Sequence, residues 1–294
     1  FYKNIKFIRI GKQNKEIMRS RIVFYLYLRI LELRLQPHLN NIAEHFKNIV
    51  CFTVGDDFWH LFNIVTVCKK KGIRVFHERT EYPLLNKKSL RQKFNVKLYL
   101  KYIVPRFDHI FVISNALKHF FDAHVKLYNK KIPVSILNMI VEPDRYSCSY
   151  SSIDSKYKDI VYVGTMYGDK DGVYYLLEAF LKIYQDYPDS RLILIGDNTK
   201  VLQMQRINDI LSKIQYSDRI IFTGQLDRKS VIEKINSAYC LVLARPNNIQ
   251  AKYGFPTKLG EYLSTGKPIV ITSVGEIPLY LKDGMNAYIA KPDD

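Results

Sequence analysis

Lys252-Tyr253-Gly254-Phe255-Pro256-Thr257-Lys258-Leu259-Gly260-Glu261-Tyr262-Leu263-Ser264-Thr265-Gly266-Lys267-Pro268-Ile269-Val270-Ile271-Thr272 is the stretch around which the chain is organised. It reads as a turn marked by glycine and proline, a short helix, a second turn, and a buried strand. Pro256 suits the first turn of a helix, where its missing N–H would find no partner anyway. Lys258 and Glu261 are three residues apart and so share a helix face. The free N–H groups and positive dipole end of a helix attract anions, and a lysine in that first turn is unfavourable for the helix unless an anion sits there. Gly266-Lys267-Pro268 stops the helix, and Ile269-Val270-Ile271 reads as a strand buried on both faces.

This segment resembles the donor-site motif of retaining, family 4-type glycosyltransferases with the GT-B fold. That family has a Gly-Phe turn, a helix carrying a glutamate, Gly-Lys-Pro and an apolar strand. Many members carry two glutamates flanking seven residues; here the second is Glu261, while the first position is Tyr253. The resemblance therefore implies that Glu261 holds a nucleotide ribose, and that the carboxylate facing the sugar in relatives is missing. Thr257, Gly254, Phe255 and Pro256 fall in the same donor-binding stretch. An ordinary α/β helix with a conventional stop is the plain alternative.

The 294 residues suffice for two ordinary domains with their own cores, and 47% hydrophobic with 25% charged residues fits a globular chain. Lys and Arg number 45 against 28 Asp and Glu, a net charge of +17. Such a surface attracts nucleic acid, anionic lipid headgroups or phosphorylated substrates without choosing among them. Cys51, Cys68, Cys148 and Cys240 lack metal-type spacing and read as reduced, mostly buried thiols. Signal peptide and membrane-spanning run are both absent from the sequence as given, so a cytoplasmic location is expected, with attachment to the inner membrane face allowed by the charge. The chain opens inside Ile5-Lys6-Phe7-Ile8-Arg9-Ile10, itself strand-like, and stops after a strand, so a further first strand and a closing helix are expected beyond it.

In chain order, Met18 to Leu35 carries apolar and arginine residues at helical spacing, either a membrane-facing helix or a core helix with snorkelling arginines. Asn48 to Gly55 reads as a buried strand, Asp56 to Lys71 as a helix, and Ile73 to Phe76 as the next strand. This unit implies a parallel sheet with its functional loop at the carboxyl end of the strand. That loop is His77-Glu78-Arg79-Thr80-Glu81-Tyr82-Pro83. The resemblance places a His- and Glu-containing loop on the acceptor side, which makes His77, Glu78 and Glu81 acceptor-side candidates; idle surface charges are the alternative. Lys87 to Lys101 is basic with apolar partners, an interfacial helix against anionic lipid or a solvated basic face. Asp108 to Asn115 reads as a strand leading to an N-cap, Ala116 to His124 as its helix, and Ile132 to Asn138 as the following strand and turn. Tyr146 to Lys158 reads as a linker, dividing an amino-terminal, acceptor-side domain (1–150) from a nucleotide-sugar-binding domain (151–294).

The second domain begins with the strand Asp159 to Thr165, a loop to Gly172, a helix Val173 to Tyr187 and the strand Arg191 to Asp197. The resembling family has an arginine after the first glycine, Gly164, and a lysine just before the second. Those places hold Thr165 and Asp171, with Lys170 one residue earlier as the available cation. Arg219 to Gln225, the helix Lys229 to Asn236 and the strand Ala238 to Pro246 follow, then a polar loop Asn247 to Ala251. Arg245 stands at the carboxyl end of a buried strand, where α/β sheets put binding residues. Ser273 to Ile277 and Asp283 to Ala287 resemble the family's closing turns, with Ala287 replacing a glycine.

The resemblance thus implies an α/β, GT-B fold of two Rossmann-like domains. It also implies transfer of a sugar, with retention, from a nucleoside diphosphate (UDP or GDP) to a hydroxyl of a glycan or lipid-linked acceptor. Lys258, Arg245 and Lys170 would offset charge on the leaving diphosphate. Neither a metal nor another cofactor is expected. A same-fold sugar epimerase, a binding protein without transfer activity, and a nucleic-acid binder are the rivals. No nucleic-acid recognition motif is present, so nucleic acid is not an expected partner.

Overall fold

In a computed structural model, the residues described are 37, 49–85, 89–146, 156–166, 171–199, 205–212 and 217–292. The expected strand at Ile5 to Ile10, the helix at Met18 to Leu35, most of the linker, and Lys170 lie outside them. Two compact units emerge from the contacts: Phe1–Val112 with Leu117–Leu137, and Ile113–Ala116 with Asn138–Asp294. The division falls at Leu137, ahead of the expected linker. The reason is local: Tyr146 is buried in the second unit's core, and Met139 and Val141 lie against Gly260.

The first unit holds a parallel sheet ordered β1-β2-β3-β4, with β1 Val50–Val54, β2 Arg74–Arg79, β3 His109–Val112 and β4 Val134–Ile136. Helix α1, Phe58–Lys70, joins β1 to β2; Asp57 caps it by accepting from the His60 amide. Helix α2, Leu90–Leu98, opens on a capping box between Ser89 and Gln92 and runs into a π-helical turn at Tyr99–Ile103. Helix α3, Asn115–Lys126, links β3 to β4. The β1 strand was expected to be buried, yet Val50, Phe52 and Val54 are exposed. Among the described strands β1 is an edge with a neighbour on one side only. Cys51 on β1 and Cys68 on α1 are both free thiols.

The second unit is a six-stranded, all-parallel sheet ordered β10-β9-β8-β5-β6-β7. Its strands are β5 Lys158–Val163, β6 Ser190–Ile195, β7 Ile220–Gly224, β8 Cys240–Leu243, β9 Ile269–Thr272 and β10 Tyr288–Ala290. The described helices are α4 Val173–Ile183, α5 Gln205–Leu211, α6 Arg228–Ser237, α7 Ile249–Tyr253, α8 Lys258–Ser264 and α9 Ile277–Tyr280. The apolar runs of β5, β6 and β8 are buried, as strands covered on both faces must be. Val270 in β9 is an exception, with 37% of its surface exposed. Going outward from β5, the chain runs to β6 and β7 on one side and to β8, β9 and β10 on the other. The strand order therefore reverses between β5 and β8. Open α/β sheets bind ligands in the crevice at such a reversal, beyond the carboxyl ends of the strands.

Candidate donor site

The reversal point is built by the residues that leave β5 and β8. Gly164 follows β5, and its amide donates to the Ile195 carbonyl at 3.0 Å. A Cβ at Gly164 would stand 2.2 Å from the Tyr162 hydroxyl. The returning Gly172 has φ +67°, and a Cβ there would lie 1.8 Å from the Ala244 carbonyl oxygen. Gly172 is thus pressed against the exit of β8 in a manner that only glycine permits, and Gly164 leaves room for the Tyr162 side chain.

Arg245, two residues past β8, is 3% exposed. Its carbonyl accepts from the Thr272 hydroxyl at 2.6 Å, which ties the exit of β8 to the end of β9. Its Nε lies 3.7 Å from Asp171 Oδ1, too far for a hydrogen bond, and is sealed from solvent without a hydrogen-bond partner. The other Asp171 oxygen accepts from the Tyr162 hydroxyl at 3.0 Å. Burial pulls the Arg245 pKa down, while Asp171 pushes it back up. Burial pushes the Tyr162 phenol well up, and the Asp171 charge adds to that. Alongside, the Val163 amide donates to the fully buried Tyr262 hydroxyl at 2.8 Å, which anchors α8 to the end of β5.

Helix α8 carries the second group. Leu259 and Tyr262 enter the core, so Lys258 and Glu261 are left on the opposite face, half-buried. Lys258 Nζ donates to Glu261 Oε2 at 3.1 Å, the contact that their three-residue spacing predicts. Thr257 precedes the helix as an exposed N-cap with no side-chain cap, and Pro256 lies one residue further out rather than in the first turn. The Pro256 carbonyl accepts from the Leu259 amide at 2.9 Å. Gly254 closes α7, and Phe255 packs edge-on to Tyr280 with 5.0 Å between centroids. Tyr253 is the last residue of α7, and its carbonyl accepts from the Ser114 hydroxyl at 2.6 Å. The polar loop expected at Asn247 to Ala251 is in fact the start of α7, because Asn248 Oδ1 accepts from the Ala251 amide at 2.9 Å and caps a helix.

Two groups of sequence candidates thus form within the second unit: Gly164, Thr165 and Arg245 at the strand reversal, and Lys258, Glu261 and Thr257 on α8. Asp171, noted from the sequence only as standing in place of a lysine, joins them, as do Tyr162 and Tyr262, which were not singled out. The loop also contains an Asp-x-Asp spacing, Asp169 to Asp171, although neither a metal nor another cofactor is expected from the sequence. Asp169 is outside the described residues, and no group of three or more His, Cys, Asp or Glu suited to a metal occurs among those described. A cavity of about 350 Å³ between α4 and the sheet, lined by Phe180, Ile183, Val242 and Val270, is apolar and unsuited to a diphosphate.

In the first unit, His77 and Glu78 lie within β2 rather than in the loop beyond it. Sequence reading ends the strand at Phe76, where apolar residues give way to charged ones, yet Val75, His77 and Arg79 alternate inward in strand fashion. His77 is fully buried: Nδ1 is 2.9 Å from the Thr53 hydroxyl, Nε2 is 2.9 Å from the Tyr99 hydroxyl, and its ring stacks on Phe107. Burial, aided by the Arg79 charge, lowers its pKa to about 3, so it is neutral. Glu78 is half-buried and Glu81 exposed.

Residues 157–294 match the family model described as glycosyl transferases group 1. An uncharacterized glycosyltransferase of Methanocaldococcus jannaschii is 22% identical over 246 residues, 79% of this chain and 57% of that protein. The N-acetyl-alpha-D-glucosaminyl L-malate synthase of Bacillus anthracis is 27% identical over 119 residues, 40% of this chain and 28% of that protein. The chain thus spans just over half the length of the first of these relatives. Among solved structures, Anabaena HepE in complex with UDP superposes with a TM-score of 0.66 at 14% identity, over 90% of this chain and 69% of that one. The fold is α/β with two parallel sheets, of the GT-B class.

Proposed function

We propose that this protein transfers a sugar from a nucleoside diphosphate to a hydroxyl acceptor, with retention at the anomeric carbon and without a metal. The observation that carries this reading is the buried Arg245, whose Nε has no hydrogen-bond partner, at the strand reversal of a domain matched by the group 1 family model. A diphosphate oxygen is the partner that a guanidinium in a water-poor site takes up best. As the bond between the anomeric carbon and the diphosphate oxygen breaks, negative charge grows on the leaving group, and fixed cations stabilise it most when water is excluded. Arg245 and Lys258 supply that charge, with Lys170 as a further cation, and the acceptor's proton passes to a leaving phosphate oxygen. Glu261 accepts from ribose hydroxyls, which frees Lys258 from their mutual pair as the donor arrives. HepE, solved with UDP and with UDP-glucose, supports a nucleotide-sugar as the donor class.

The acceptor in this reading is a lipid-linked or surface-glycan intermediate, met at the cytoplasmic face of the membrane. Leu90 and Phe94 are exposed on α2 beside Arg91, Lys93 and Lys97, a mixture suited to an anionic lipid surface. No helix among the described residues is long and apolar enough to cross a membrane.

The test is calorimetric titration of UDP and GDP, with chelator present, into the wild type and the Lys258→Ala, Glu261→Ala and Arg245→Ala variants. One nucleotide is expected to bind, and all three changes to weaken it. Failure of both nucleotides to bind the wild type overturns the reading.

A further inference from the structure

Asp171 is the one carboxylate among the described residues that faces Arg245 across an ion-pair distance, and a structural ion pair would be built differently. A buried guanidinium held for stability is met by a carboxylate at hydrogen-bonding distance, commonly through two parallel bonds. Here the separation is 3.7 Å, Nε has no hydrogen-bond partner, and the nearer use of Asp171 is to accept from Tyr162. The carboxylate is itself fixed: Tyr162 is fully buried on β5, and Gly172, next in sequence, is pressed on the Ala244 carbonyl. Tyr162, Asp171 and Arg245 form a chain running from β5, through the loop, to the exit of β8. Nothing in that chain hydrogen-bonds the guanidinium Nε.

We infer that Asp171, held by the Tyr162 hydroxyl, is a positioning residue for Arg245: it aims the guanidinium at the diphosphate and offsets part of its charge, so that spent nucleotide is released. The inference rests on the function proposed above. Its two parts have opposite signs in nucleotide affinity. The negative charge of Asp171 repels a bound diphosphate, so its loss alone tightens binding. The oxygen at the same place steadies the guanidinium, so its loss alone loosens binding. A residue serving only the fold would weaken binding on any substitution.

Asp171→Asn keeps an oxygen for Tyr162 and removes the charge; Asp171→Ala removes both. Titrations of UDP and GDP into the full chain are expected to show Asp171→Asn binding the preferred nucleotide about fivefold more tightly than wild type. Asp171→Ala is expected to give up that gain, and Asp171→Glu to return to the wild-type value. Equal affinities for the Asn and Ala variants, or an Asn variant that binds no more tightly than wild type while melting at the same temperature, overturn the inference. Should the Asp171 variants fail to fold, Tyr162→Phe carries the test. Loss of the hydroxyl's hold is expected to weaken nucleotide binding about twofold to threefold, and an unchanged affinity overturns the inference. A wild type that binds neither nucleotide removes the donor-site reading and this one with it. A wild type that binds, loses binding on Arg245→Ala and ignores Asp171 removes this one alone.

Discussion

Each unit of the molecule places an Asp–Arg pair at the carboxyl ends of its parallel strands, and the two pairs are built to different standards. In the first unit, Asp56 follows β1 and Arg79 ends β2. The Arg79 Nη2 donates to Asp56 Oδ2 at 2.9 Å, and the Asp56 carbonyl accepts from Asn95 Nδ2 at 3.2 Å. Asn95 in turn accepts from the Phe58 amide at 3.3 Å, so the pair is stitched to two helices. In the second unit, Asp171 and Arg245 stand 3.7 Å apart and no hydrogen bond joins them. The first pair is joined by a charge-assisted bond through Nη2, although Arg79 Nε, like Arg245 Nε, is buried without a hydrogen-bond partner; the second pair has no such bond. Charge and burial are similar in the two places, so what separates them is hydrogen-bond geometry: Arg79 bonds its carboxylate and Arg245 does not.

The largest test of that contrast is to remove each arginine with a substitution of similar volume. Arg245→Met is expected to weaken nucleotide binding by about 100-fold, because a diphosphate loses a charge-assisted bond in a site with little water. Arg79→Met is expected to leave nucleotide affinity unchanged and to cost about 3 kcal/mol of stability, since Asp56 stays largely buried with its main partner gone. Titration and chemical denaturation of both variants read the two effects. Nucleotide affinity falling equally in both would erase the distinction.

A second test uses His77, which lies in the first unit within reach of the Arg79 charge. Its folded pKa, lowered to about 3, is below that of an unfolded histidine, so the unfolded chain binds the extra proton as pH falls. Stability from this group is complete above about pH 6.5 and is lost on acidification toward pH 3, at about 1.4 kcal/mol per pH unit. His77→Gln retains polar atoms for Thr53 and Tyr99 but does not titrate over that range. Denaturation at pH 7, 6 and 5 is expected to show a steeper acid loss in the wild type than in His77→Gln. In Arg79→Met the wild-type slope is expected to begin to flatten at a higher pH, because one of the charges opposing protonation is gone. Identical slopes in all three proteins would show that His77 titrates in the folded state as it does in the unfolded one.

The same residues show how far the sequence could be read. Strands β5, β6 and β8 were legible because runs such as Leu192-Ile193-Leu194-Ile195 end in glycine or at a charged exit, and alternate with helical spacing. Lys258 and Glu261 were legible because their contact depends only on helix geometry. His77 was misplaced because a strand that continues through His-Glu-Arg departs from the apolar pattern, although its burial alternates without a break. Helix α7 was hidden by a turn-rich composition, in which Asn248 acts as a cap and not as part of a loop. Arg245 could be placed from its position after a strand. Its relation to Asp171 and Tyr162 could not, since the loop and the two strands meet only when the sheet assembles. Asp171 stands where the resembling family has a lysine, and read locally that is a loss of charge. In the folded unit it is a carboxylate facing an arginine supplied by another strand.

The smallest expected effect concerns the pair that sequence spacing made most visible. Lys258 and Glu261 are each about a third exposed, at 3.1 Å, in a helix of seven residues. Water screens such a pair, and holding two long side chains together costs entropy, so its contribution to stability is about 0.5 kcal/mol or less. Lys258→Met is therefore expected to leave the melting temperature within about 2 °C of wild type. If the pair is instead a resting arrangement of two donor-binding groups, the same substitution weakens nucleotide binding by about tenfold, the value of one charge-assisted phosphate contact. The two readouts move apart only when the ligand, and not the fold, is what Lys258 serves. That outcome would group Lys258 with Arg245, as a cation whose bonding is left uncommitted by the fold, and apart from Arg79. A fall in melting temperature with no change in affinity would move it to the other side of the comparison.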